Sequence, residues 1–100
     1  MKKIVLLCNM GLSTSALVKK IIEEADKENY ECTVNAYPAS EASNEATDAD
    51  CVLIGPQVSY LVDEVKGKLP GVPVEAIAMK DYGMMNGKAV LAQAKKLIGE

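Results

Sequence analysis

Strands alternating with amphipathic helices predict an α/β fold. It is a single-domain, three-layer sandwich whose four-stranded parallel sheet runs in the order 2-1-3-4 with helices on both faces. Three observations predict it. Two short apolar runs, residues 4–8 and 51–54, are continuous, as strands covered on both faces are. A third segment, residues 31–37, alternates between apolar and polar positions and suits an edge strand. The chain has 100 residues, so residues 1–100 form one domain around one core.

The first strand starts straight after Lys2 and Lys3 and ends at Cys8. Ala16, Leu17, Ile21, Ile22 and Ala25 then recur at helical spacing until Asn29 and Tyr30 break the pattern. In the second strand Cys32, Val34 and Ala36 share one side, Thr33, Asn35 and Tyr37 the other, and Pro38 stops it. Residues 39–49 are rich in Ala, Ser, Glu and Asn; with little apolar surface they suit either a short exposed helix or a loop. The third strand, residues 50–54, closes on Gly55 and Pro56, and Val58, Leu61, Val62, Val65 and Leu69 mark a further amphipathic helix ended by Pro70 and Gly71. Residues 72–79 supply the last strand, and Ala89, Val90, Leu91, Ala94, Leu97 and Ile98 the closing helix.

Composition restricts the chemistry. There is no His and no Arg, which removes imidazole and the bidentate guanidinium fork and leaves thiols, carboxylates, lysine and hydroxyls. Cys8, Cys32 and Cys51 are too far apart for a CxxC pair, so neither a redox dithiol nor a zinc site is indicated, and no metal or cofactor is called for. A net charge of −3 argues against nucleic acid and anionic membrane as partners. No apolar run approaches the length of a membrane span or a signal sequence. The expected location is the cytoplasm, with free thiols.

In an open α/β sheet, ligands sit beyond the carboxyl ends of the strands where the winding reverses, here between strands one and three. That places Cys8 and Gly55 at one crevice. Asn9, Met10, Gly11, Leu12, Ser13, Thr14 and Ser15 lead from Cys8 into the first helix, whose opening N–H groups lack partners and favour an anion. Gly11 lets the loop curl with its amides inward, and the three hydroxyl residues add donors. The same field suits a negatively charged sulfur nucleophile. A cysteine after a strand is more often a small buried residue than a nucleophile, the reading kept for Cys32 and Cys51; Cys8 differs by its place.

The run Cys8-Asn9-Met10-Gly11-Leu12-Ser13-Thr14-Ser15, with Gly55-Pro56-Gln57-Val58-Ser59-Tyr60 and Tyr82-Gly83 before Gly87, closely resembles one family. It is the IIB component of the lactose/cellobiose (chitobiose) branch of the bacterial phosphoenolpyruvate-dependent sugar phosphotransferase system (PTS). The family pattern C-x-x-G-M-S-T-S, then G-P-Q, then Y-G is matched in order and spacing, with Leu12 where methionine is common. The resemblance implies the fold shared by IIB proteins and low-molecular-weight tyrosine phosphatases. It also implies a phosphotransferase with a phosphocysteine intermediate. A IIA phosphohistidine protein donates to Cys8, Asn9 to Ser15 cradle the phosphoryl group, and Cys8 passes it to a sugar carried by the membrane component IIC. Gln57, Tyr60 and Tyr82 are candidates for contact with these partners, and the protein is expected to be a monomer that meets them transiently.

Two other classes compete. Thiol phosphatases and arsenate reductases carry C-x5-R-S, but here Thr14 stands at the arginine position. A carrier whose phosphocysteine must outlast water does well without that clamp. A non-catalytic anion-binding module would share the loop without using the thiol. A receiver-type phospho-aspartate domain is disfavoured, because strand one ends in Cys8-Asn9 and strand three in Ile54-Gly55, with no acidic pair or acceptor aspartate.

Overall fold

A computed structural model describes residues 1–9 and 12–100, the side chains of Leu12 and Ser13 excepted. The elements are β1 (Lys2–Cys8), α1 (Leu12–Lys27), β2 (Cys32–Pro38), a 3-10 turn (Ala39–Glu41) running into α2 (Ala42–Glu45), and β3 (Cys51–Ile54). A second 3-10 segment (Pro56–Leu61) leads into α3 (Val62–Lys68), followed by β4 (Val74–Ala76), α4 (Met79–Gly83) and α5 (Gly87–Ile98). All strand pairs are parallel and the order is β2-β1-β3-β4, as the sequence predicts.

Alternation along the central strands divides two cores. Ile4 and Leu6 of β1 and Leu53 of β3 face Leu17, Ile21 and Ala25 of α1 and Val90, Leu91 and Ala94 of α5. Val5 and Leu7 with Val52 and Ile54 face the other way, onto Val58, Val65 and Leu69. Because both faces are covered, neither strand shows a polar position, which is why each reads as an unbroken apolar run. At the amino-terminal end of β1 the Lys3 amide donates to the Asp50 carboxylate at 2.7 Å and the Asp50 amide donates to the Lys3 carbonyl at 2.8 Å. These bonds start the β1–β3 register at Ile4 opposite Cys51.

Three expectations are corrected. Residues 39–49 are not an exposed appendage: Ala42, Ala46 and Ala49 are buried in the second core, their small side chains letting a one-turn helix lie close to the sheet. The helix predicted across Val58 to Leu69 is broken, since Val58 has non-helical angles (φ −123°, ψ 27°) and α3 starts at Val62. Its apolar set still faces inward. The last strand is three residues long instead of spanning 72–79; Pro73 before it has no amide to donate, and Met79 already opens α4. Gln93 of α5 donates to the Ala76 carbonyl at 2.8 Å, closing part of that outer edge.

α5 is capped by Asn86, whose side-chain oxygen accepts from the Ala89 amide at 3.0 Å, and ends at Gly99 in the left-handed region (φ 97°). Gly87 is where α5 meets α1: a Cβ there would lie 2.5 Å from the carbonyl carbon and oxygen of Lys20. Backbone, not a flexible side chain, occupies that space, so Gly87→Ala must push the helices apart. It should cost about 1–3 kcal/mol by urea denaturation. Gly67→Ala, in α3 where a Cβ meets nothing within 4 Å, should instead gain about 0.5–1 kcal/mol.

Cys51 is fully buried, and burial, aided by the charge of Asp50, pushes its thiol up to about 12. The unfolded chain ionises this thiol near about 8.5. Above that pH the native state holds a proton that the unfolded state has lost, so stability present below it falls as pH rises towards 12, by at most about 1.4 kcal/mol per pH unit. Unfolding free energy measured from pH 8.5 to 11 should therefore decline more steeply in the wild type than in Cys51→Ala.

Candidate functional site

Cys8 is the last residue of β1 and pairs with Pro38, the last of β2. On its other side the Gly55 amide donates to the Leu7 carbonyl at 2.9 Å, so β3 turns away immediately beside the cysteine. A Cβ on Gly55 would stand 3.3 Å from the Cys8 Cβ and 3.3 Å from Gln57 Oε1. Glycine here avoids a side chain that would crowd both groups. The expected meeting of Cys8 and Gly55 at one crevice is thus observed.

The residue is enclosed more than the sequence argument supposes. Cys8 is 5% exposed, at the floor of a recess of about 270 Å³ lined also by Asn9, Pro38, Ala39, Ser40, Val58, Tyr60 and Leu61. Pro38, Ala39 and Ser40 were not expected there, although the order 2-1-3-4 carries the signal, since it puts the carboxyl end of β2 beside Cys8. Asn9 is exposed and Tyr60 is 77% exposed on the rim, and Gln57 is exposed on the same loop as Tyr60.

α1 begins four residues after Cys8, and the helix rule leaves its first N–H groups without intrahelical acceptors. Ser15 is exposed, whereas Thr14 is 3% exposed with its Oγ1 2.7 Å from the Tyr82 hydroxyl. Met10, Gly11 and the side chains of Leu12 and Ser13, all assigned to the phosphate cradle, lie outside the described residues. Tyr82 departs from expectation. It is 8% exposed and packs into the core shared with α1 and α5, because α4 turns that position inward, whereas Tyr60 lines the recess beside Cys8.

The other two thiols differ in kind. Cys51 lies within β3 with no exposure, and Cys32, half-buried on edge strand β2, has its thiol raised by burial. Iodoacetamide at pH 8 should modify Cys8 first and Cys51 last, followed by peptide mass spectrometry; equal rates at all three would contradict a distinct environment at Cys8.

The geometry has known counterparts. The family model described as "PTS system, Lactose/Cellobiose specific IIB subunit" matches residues 3–93. The chain is similar to the oligo-beta-mannoside-specific EIIB component of Bacillus subtilis, 41% identical over 100 residues that cover 98% of this chain and 97% of that one. It is similar to the galactose-specific EIIB component of Lactococcus lactis subsp. cremoris, 38% identical over 104 residues covering 97% and 96%. Among solved structures, the cellobiose-specific phosphotransferase IIB component of Borrelia burgdorferi superposes with a TM-score of 0.81 at 35% identity, covering 98% of this chain and 92% of that one.

Proposed function

The chain belongs to the lactose/cellobiose-specific IIB family of the sugar phosphotransferase system, and from that premise we propose that Cys8 is its phosphorylated residue. Cys8 Sγ attacks the phosphorus of a phosphohistidine on a IIA protein; the S–P bond forms as the N–P bond breaks, and the imidazole leaves with the electron pair and takes up a proton. In the second step a hydroxyl of the sugar held by the IIC membrane component attacks the same phosphorus. The O–P bond forms, the S–P bond breaks with its electron pair returning to sulfur, and the hydroxyl proton is released.

The observation that carries this reading is the position of Cys8. It ends the central strand against Gly55, at the floor of a recess and at the approach to a 16-residue helix whose amino terminus favours anionic oxygens. In this reading the backbone from Asn9 to Ser15 receives the three phosphoryl oxygens, and Gln57 and Tyr60 on their shared loop meet the partner proteins. The position that a phosphatase fills with arginine holds Thr14, turned inward onto Tyr82, which supports a carrier over a hydrolase.

The protein works in the cytoplasm as a monomer that engages IIA and IIC in turn. No helix among the described residues is long and apolar enough to cross a membrane, and the large exposed apolar side chains Met1, Ile22, Tyr60, Met79 and Met84 include none from the sheet interior. Selection of the sugar, a cellobiose-, chitobiose- or lactose-like glycoside, resides in IIC. The relatives' names, which differ in the sugar at near-equal identity, fit this division.

Incubation with phosphoenolpyruvate, the general PTS proteins and a IIA component should add one phosphoryl group, on the Cys8 peptide, and none to Cys8→Ser. A label on a carboxylate or hydroxyl, or none with a competent IIA, would overturn the assignment.

A further inference from the structure

We infer that Tyr82 is a positioning residue of the phosphotransfer site: its hydroxyl, bonded to Thr14, holds the first turn of α1 in the orientation that receives the phosphoryl group. The inference rests on the reading of Cys8 as the phosphorylated residue. The two hydroxyls are 2.7 Å apart although 68 residues separate them in the chain, and both side chains are buried. A buried phenol needs a partner for its hydroxyl, whereas packing alone would be served by phenylalanine. Here the partner is the third residue of the helix that follows the cysteine loop.

The segment that bears Tyr82 grips α1 twice. Gly87 lies against the Lys20 backbone, and Tyr82 reaches Thr14, six residues or about 9 Å nearer the helix start. Between these points the chain is tightly bonded: the Tyr82 amide to the Ala78 carbonyl at 3.0 Å, the Met85 amide to the Tyr82 carbonyl at 3.1 Å, and the Asn86 amide to the Asp81 carbonyl at 2.9 Å. Met85 sits in the left-handed region (φ 51°), which turns the chain between the two grips. The Gly87 contact sets how closely the helices pack. The Tyr82 bond fixes the end of α1 that faces Cys8. Removing the hydroxyl leaves the first contact standing, so the fold persists while the first turn loses its tether.

The test is Tyr82→Phe, with Thr14→Val as a second variant and the pair combined, each confirmed as folded by denaturation. Phosphoryl transfer from phosphorylated IIA is then followed by rapid quench at varied IIA concentration. Tyr82→Phe should lower kcat about five- to tenfold and leave KM for phospho-IIA within about twofold, because a buried hydroxyl acts on the reacting geometry and not on docking. Thr14→Val should do the same, and the double variant should be no slower than the worse single, as for two ends of one bond. A raised KM with unchanged kcat would make Tyr82 a docking residue and overturn the inference. So would wild-type kcat in the folded Phe variant, or multiplied losses in the double variant. Wild-type protein that takes no label on Cys8 would instead overturn the Cys8 reading, and this inference with it.

Discussion

β1 is hydrogen-bonded on both sides and buried on both faces, and the rest of the chain is arranged around that condition. A strand so enclosed needs a helical layer above and another below. Parallel pairing also requires each connection to cross over, so the layers arise from the connections themselves. Its end is then a fixed point. Ile4 to Leu7 are at most 1% exposed, and Cys8 inherits its position from them instead of from the loop that follows.

That rigidity suits a site without a cationic side chain. In the function proposed above, the charge that the phosphoryl oxygens meet comes from oriented backbone amides, whose value depends on holding direction, since each N–H supplies a partial charge and cannot swing to follow a ligand as lysine does. Hence the number of constraints converging near the head of α1. Gly55 abuts Cys8 from one side, β2 pairs with it from the other, and the Thr14–Tyr82 bond ties the helix from beneath.

Much of this was legible in the sequence, for physical reasons that differ by element. The continuous runs at β1 and β3 declared double burial, and with the alternating β2 they specified the order 2-1-3-4. Ala42, Ala46 and Ala49 have helical spacing, but a methyl group carries little hydrophobic signal, so their burial beneath the sheet was not apparent. The kink at Val58 left no mark, because the same apolar set faces inward whether the helix is continuous or broken. At the site, the meeting of Cys8 and Gly55 followed from strand order, while Gln57, Tyr60 and Tyr82 were named only through the family likeness. The burial of Tyr82 was not legible, since a five-residue helix is too short to display a period from which its inner face can be read.

The blunted margin at β4 bears on how copies of this chain behave when crowded. With three residues, a proline ahead of it and the Gln93 amide across its Ala76 carbonyl, that flank offers an incoming strand few unoccupied groups. Lateral growth of the sheet into larger aggregates is discouraged on that flank, and the longer edge strand β2, Cys32–Pro38, is the one left to template it.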